Sequence, residues 1–227
     1  MAIKVGHRGA AGYEPENTLP SFKKALELGV DMIELDVHLC KSGELVVRHE
    51  YFVDGTQNGR NFISEKTLPE LKELNMGQGE KIPTLNEVLD LIDRKAKVNV
   101  ELKGRNTAKL VSDLVEEYVK NKKWEYDDFL VSSFLYDELK KIKELNQKIK
   151  IGVLTINAPE SFFRFAREIH AYSLNVPMEK LTKKFVDKAR EEGFKVYVFW
   201  TPNTVEDIKK AKKMGADYIC SNFPDKI

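Results

Sequence analysis

Cysteine is scarce in this chain of 227 residues: only Cys40 and Cys220 occur, far apart and with no CxxC spacing. That argues against a disulfide framework and fits a reduced, cytoplasmic protein. No stretch approaches the roughly 18 to 20 apolar residues of a membrane-spanning helix, and residues 1–8 hold no apolar run of signal-peptide length. A surplus of charge is missing as well, since 37 Lys and Arg meet 36 Asp and Glu for a formal net charge of +1. Non-specific nucleic-acid binders usually carry a basic excess, so no nucleic-acid partner is expected. A small anionic substrate needs only a local positive site and stays open. No Gly-rich dinucleotide fingerprint or Walker motif opens the first helix, and no linker or low-complexity segment interrupts the chain.

What is present is an alternation. Hydrophobic residues make up 42% of the chain, enough for a sizeable core. Strand-like runs lie at 3–8, 32–39, 98–103, 129–134, 150–155, 172–176, 195–201 and 218–221, with helical patterns at 19–28, 85–93, 107–122, 136–146, 159–169, 181–192 and 205–214. Gly29, Gly193 and Gly215 each follow a helical stretch, where a left-handed cap is wanted. Eight strands with helices between them is the count of a closed (β/α)8 TIM barrel in the α/β class, and nearly continuous apolar strands suit a sheet buried on both faces. An open doubly wound sheet is the competing architecture. The expectation is one domain over 1–227, with an insertion at about 44–84 on the barrel rim. There some forty residues carry a strand-like Leu45-Val46-Val47, a Gly/Asn-rich stretch at 54–61 and a short helical pattern near 68–74.

Barrel active sites gather at the C-terminal ends of the strands. The polar residues there are His7 and Arg8 after the first strand, Glu34 and Asp36 in the second, His49 and Glu50 after the extra strand piece, and Glu101 and Lys103 in the third. Glu34 and Asp36 are two apart, so on a strand they share a face, as do Glu101 and Lys103. Three carboxylates on neighbouring strands suit a hard cation such as Mg²⁺ or Ca²⁺, with Mn²⁺ also admissible. The alternative is a structural ion-pair network with Arg8 and Lys103. By charge count the three acids and two cations leave minus one, a divalent cation makes plus one, and one phosphodiester charge would neutralise it; Glu50 would spoil that balance if it pointed inward. His7 and His49 are two of only four histidines, and imidazole passes protons in either direction near neutral pH. His38 continues the Glu34/Asp36 face but is expected behind the site or at the surface.

At these residues the sequence resembles the glycerophosphodiester phosphodiesterase family. The matching segments are Gly6-His7-Arg8-Gly9, Pro15-Glu16-Asn17-Thr18, Glu34-Leu35-Asp36-Val37, Val46-Val47-Arg48-His49, Ile82-Pro83-Thr84-Leu85 and Val100-Glu101-Leu102-Lys103. Val131-Ser132-Ser133-Phe134, Phe199-Trp200-Thr201 and Ser221-Asn222-Phe223-Pro224 extend the match through the C-terminal half. The resemblance implies metal-dependent hydrolysis of a small glycerophosphodiester to glycerol 3-phosphate and an alcohol, with His7 and His49 as the base and acid pair. It implies Glu34, Asp36 and Glu101 as metal ligands and Arg8 and Lys103 as phosphate holders. In the mechanism usually drawn for the family, a metal-activated glycerol hydroxyl attacks phosphorus, the alcohol leaves, and water opens the cyclic phosphate. Trp200 is assigned to the substrate pocket, with core packing as its alternative; Asn17 or Thr18 is expected to cap the first helix, and Glu16 or Asn17 to touch the metal network as well.

Two departures stand out: Glu50 follows the second histidine where the family commonly has Asp, and Ser221-Asn222 replaces a Thr-Asp or Thr-Asn pair. The Phe162-Phe163-Phe165 cluster reads as a buried helix face rather than a lipid-binding surface. Rival readings are a lysophospholipase-D-like or sphingolipid phosphodiesterase on the same barrel, expected to show an apolar rim, and a non-catalytic phosphometabolite-binding barrel. The centre of the insertion, 54–60, is polar, which counts against the first. No stable membrane insertion is expected, and the oligomeric state is a monomer or a homodimer.

Overall fold

The computed structural model describes residues 2–53, 61–199 and 203–227. Among them the strands are β1 (Ile3–Gly6), β2 (Met32–Leu39), β3 (Leu45–Val47), β4 (Lys97–Leu102), β5 (Phe129–Ser133), β6 (Lys150–Leu154), β7 (Ser173–Pro177), β8 (Lys195–Phe199) and β9 (Tyr218–Ser221). The α-helices are α1 (Leu19–Glu27), α2 (Leu68–Lys72), α3 (Leu85–Ile92), α4 (Ala108–Asn121), α5 (Tyr136–Leu145), α6 (Glu160–Glu168), α7 (Lys183–Glu191) and α8 (Val205–Met214).

Every strand except β3 pairs in parallel with its neighbours in the order β1-β9-β8-β7-β6-β5-β4-β2, and β1 also pairs β2. The sheet therefore closes on itself: this is a (β/α)8 barrel, and the open doubly wound alternative is excluded.

The strand period of two divides each barrel strand between two layers. On β2, Ile33, Leu35 and Val37 face outward and pack with Phe22 of α1 and Leu89 of α3, all 1% exposed or less. Around the barrel the same outer layer takes Val98, Val131, Ile151 and Val196, with Phe162 and Phe163 of α6 buried beside them as the helical pattern requires. Inside, the lower layer is apolar and is built from Val5, Met32, Leu130, Tyr197 and Tyr218. The next inward residues on β2, Glu34 and Asp36, stand opposite Asn99 and Glu101 of β4 in register, so the acids sit nearer the C-terminal mouth than the apolar plug.

Local chemistry fixes the helix ends. Thr84 and Glu87 form a reciprocal capping box at the start of α3, Thr18 accepts from Ser21 N at α1, and Gly29, Gly193 and Gly215 follow their helices with positive φ.

The described part of the interval after β2 follows its pattern. β3 runs antiparallel to β2 with Val37 opposite Val47, α2 follows, and Cys40, Val46, Ile63, Leu71 and Ile82 form a small separate core. The polar residues 54–60 lie outside the described residues. Both cysteines are buried and free. Among the described residues no helix is long and apolar enough to cross a membrane.

Candidate active site

The strand predicted over 3–8 ends at Gly6, and the reason places the first two site residues. A Cβ on Gly6 would lie 2.4 Å from Gly9 O, and one on Gly9, at φ +88°, would lie 2.4 Å from Ser21 Oγ. Only glycine lets the chain double back this tightly against α1. Arg8, caught in that turn, takes a left-handed φ of 50°. Its backbone N donates to Glu34 Oε2 at 2.9 Å, and its carbonyl accepts from Ser21 Oγ at 2.8 Å. The guanidinium then reaches across the mouth: Nη1 donates to both oxygens of Glu16 at 2.8 Å, and Nε lies 3.4 Å from Asp36 Oδ2.

Glu34, Asp36 and Glu101 are buried, at 4%, 1% and 8% exposure, and one carboxylate oxygen from each lies within 4.8 Å of the others. Asn17, itself fully buried, donates from Nδ2 to Asp36 Oδ2 at 2.9 Å. Lys103 Nζ stands 3.2 Å from Glu101 Oε1 and 3.9 Å from Asp36 Oδ1. Burial pushes the Glu34 carboxyl well above its ordinary value, with Asp36 and Glu101 adding repulsion and Arg8 opposing. Burial and Glu101 likewise raise Asp36 to about 6 against the pull of Arg8 and Lys103. For Lys103 burial works against the charge, yet Glu101 and Asp36 hold the ammonium above its usual range. Two cations thus fall short of compensating three buried acids.

The remaining negative charge suits a metal ion. The donors are hard oxygens, they converge, and they carry uncompensated negative charge. Glu101 Oε1 has an ion-pair contact to Lys103 but no well-formed hydrogen bond. A hard divalent cation satisfies all of these conditions.

His7 Nδ1 lies 2.6 Å from Asn222 Oδ1, and its Nε2 faces Glu34 Oε2 at 4.0 Å. With the amide oxygen of Asn222 in that position the contact requires a proton on Nδ1, which leaves Nε2 as the free lone pair. Burial and the neighbouring Arg8 lower the His7 pKa to about 3, so the ring is neutral at ordinary pH. His49 lies in the chain just past β3, where Arg48 N donates to Asp36 O at 3.0 Å and ties that segment to the end of β2. Its Nδ1 is 2.8 Å from Glu50 Oε1. Glu50 points outward, 62% exposed, so it stays out of the acid cluster while still engaging His49. His38 is buried, 3.4 Å from His49 O and edge-on to Tyr51, which puts it behind the site.

Of the residues expected from the sequence, His7, Arg8, Glu34, His49, Glu101 and Lys103 line one cleft at the barrel mouth, and Asp36 is buried among them. Phe134, Leu154 and Phe199 supply an apolar portion of the lining. Trp200 lies outside the described residues. The open question over Glu16 and Asn17 resolves by division: Glu16 pairs with Arg8, and Asn17 hydrogen-bonds a proposed ligand. Asn222, which the sequence marks only as part of a departure from the family's pair, is the group that orients His7. Its position just past β9, at the C-terminal end of a barrel strand, was the available signal.

Comparison with known proteins agrees with this geometry. A sequence model described as the Glycerophosphoryl diester phosphodiesterase family matches residues 7–226. The chain is 36% identical over 99% of its length to a glycerophosphodiester phosphodiesterase of Caldanaerobacter subterraneus subsp. tengcongensis, covering 96% of that protein. It is also similar, at 30% identity and a TM-score of 0.88, to an Oleispira antarctica phosphodiesterase solved with the product sn-glycerol-3-phosphate, with 98% of this chain and 94% of that one covered. A human lysophospholipase D is 25% identical over the whole chain, which covers 85% of it.

Proposed function

This chain belongs to the glycerophosphoryl diester phosphodiesterase family and is a phosphoric diester hydrolase, and on that premise we propose how its residues divide the reaction. The substrate is a glycerophosphodiester, and the products are sn-glycerol 3-phosphate and an alcohol. The observation that carries this reading is the convergence of two histidines, two cations and three buried, under-compensated acids on one cleft. We read residues 1–227 as one catalytic domain with an insertion at about 44–84 that brings His49 to the mouth.

His7, neutral and with Nε2 free, is the general base that takes the proton of the attacking hydroxyl. His49, whose ring is held at Nδ1 by the Glu50 carboxylate, is the acid that protonates the leaving alkoxide. Arg8 and Lys103 bind the non-bridging phosphate oxygens, and each is already held in place by a carboxylate. Glu34, Asp36 and Glu101 would hold a divalent cation. When bound, that cation supplies positive charge beside the phosphoryl oxygens and polarises a nearby hydroxyl. Phe134, Leu154 and Phe199 exclude water from the carbon skeleton of the substrate.

The test is release of glycerol 3-phosphate from glycerophosphocholine and glycerophosphoethanolamine, with EDTA and then with Mg²⁺, Ca²⁺ or Mn²⁺ restored. Release that stops with EDTA and returns with an ion supports the reading; no release from folded, metal-loaded protein removes it. A second reading has one observation in its favour. Tyr51, Phe52, Phe134 and Ile156 are large, exposed and placed on loops that follow strand ends, an apolar rim suited to a lysophospholipid. Faster turnover of lysophosphatidylcholine than of glycerophosphocholine would favour it.

A further inference from the structure

We propose that His7, Glu34 and Cys220 form a second cation site, selective for thiophilic ions such as Zn²⁺ or Cd²⁺, that shares Glu34 with the acid cluster and shuts the enzyme when filled. The barrel topology creates it. β1 lies between β2 and β9, with Val5 opposite both Met32 and Cys220. Two residues beyond Val5 is His7, and two beyond Met32 is Glu34, so the inward positions of three adjacent strands converge.

One ligand atom from each of the three side chains lies within 4.8 Å of the other two, and His7 Nε2 is 4.0 Å from Glu34 Oε2. The His7 nitrogen on this side is the free one, because Asn222 occupies Nδ1. Cys220 is 1% exposed and lines the same cleft.

The two neighbouring ligand sets differ in kind. Glu34, Asp36 and Glu101 offer only oxygen, which suits Mg²⁺ or Ca²⁺. Imidazole, carboxylate and thiol together suit a borderline or soft ion, and three protein ligands leave a tetrahedral Zn²⁺ one open position. On binding, the S–H bond of Cys220 breaks, its proton leaves to solvent and the thiolate forms a bond to the ion, with no change of oxidation state. The other cysteine cannot substitute: Cys40 packs in the separate core of the insertion.

The inhibitory consequence rests on the reading of His7 and Glu34 given above. A filled site takes the His7 lone pair and withdraws Glu34 from the hard-ion set.

The experiment titrates metal-free protein with Cd²⁺ and records the ultraviolet thiolate-to-metal charge-transfer band in the wild type, Cys40→Ser and Cys220→Ser. Zn²⁺ inhibition of Mg²⁺-supported hydrolysis is then measured, each protein against its own uninhibited rate. The band is expected in the wild type and in Cys40→Ser, where Cys220 is the only thiol. It should be absent in Cys220→Ser, whose half-inhibiting Zn²⁺ concentration should rise at least about tenfold with the loss of the soft ligand. A missing band in Cys40→Ser overturns the proposal even if Cys220→Ser does not fold. A band that survives in folded Cys220→Ser overturns it equally. A normal band with undiminished activity overturns the inhibitory consequence and faults the catalytic role of His7, not the thiolate ligation.

Discussion

Asp36→Asn should stabilise the metal-free protein while disabling the metal-loaded one. Asp36 is 1% exposed, and burial together with Glu101 raises its pKa from 3.8 to about 6, even after Arg8 and Lys103 have pulled the other way. The folded protein therefore binds this proton more tightly than the unfolded chain. The penalty is absent at low pH, grows as pH rises from about 4 to about 6, and is fully present above that. A difference of about 2 pK units at about 1.36 kcal/mol each amounts to at most about 3 kcal/mol. Asn is neutral and nearly isosteric, so it escapes the penalty, less about 1 kcal/mol for an imperfect hydrogen bond with Asn17. His7 titrates in the opposite sense: its pKa is depressed, so acidification between 6.5 and about 3 costs stability. That term is common to both proteins and cancels in their difference.

Thermal unfolding by circular dichroism in EDTA provides the assay. A gain of about 2 kcal/mol corresponds to about 4 °C in Tm for a chain of this size. The variant should exceed the wild type by about that amount at pH 8 and lose the advantage near pH 4, where it falls up to about 1 kcal/mol below the wild type because only the hydrogen-bond loss remains. Saturating Mg²⁺ should reverse the order, because only the wild type then has its full ligand set to bind and be stabilised. If the variant is less stable than the wild type at pH 8 in EDTA, or gains equally at both pH values, uncompensated charge is not what limits this site.

Three further outcomes follow from the same geometry. Metal binding should release protons at about pH 6, because burial raises Asp36 to about 6 and raises Glu34 in the same direction; calorimetry in buffers of different ionisation enthalpy would read it, and zero release at that pH counts against the acid cluster as the site. Asn222→Ala should lower kcat by about 10- to 100-fold with little change in KM, and Asn222→Asp should recover much of the loss by again accepting from His7 Nδ1. Phe162→Ala, emptying a site 1% exposed between barrel and helix, should cost about 3–5 kcal/mol in denaturant unfolding while leaving metal affinity in the remaining folded protein unchanged.

The fold was readable because its strands are buried on both faces and its helices are amphipathic, two patterns that residue order alone displays. The eight barrel strands and the helix of the insertion lie where those patterns put them, and the errors fall at strand ends. β1 stops two residues early because Arg8 is left-handed, and sequence does not reveal that the Gly6–Gly9 turn must clear Ser21. Closure of the sheet was not legible either, since the β1–β2 pairing that distinguishes a barrel from an open sheet joins residues without any local signal. The acids were legible as i,i+2 pairs on strands. Their partners were not: Asn17 meets Asp36 and Asn222 meets His7 across 19 and 215 residues, respectively, through side chains that alone resemble caps and turns.

Several unfavourable features of this molecule meet at the barrel mouth. Arg8 and Asn17 both hold left-handed backbone without being glycine, at φ 50° and 58°. Three acids are buried with insufficient positive charge, and on strands β4, β5 and β7 Asn99 Oδ1, Ser132 Oγ and Asn175 Nδ2 are buried without a hydrogen-bond partner among the described residues. Each feature opposes folding. None occurs in the lower inner layer of Val5, Met32 and Leu130, or in the outer layer between strands and helices. A purely structural ion-pair network would relieve burial by neutralising it, whereas here Arg8 and Lys103 leave Glu34 and Asp36 with raised pKa values. The apolar layers hold the barrel closed, and that stability keeps a mouth whose buried acids Arg8 and Lys103 compensate only in part.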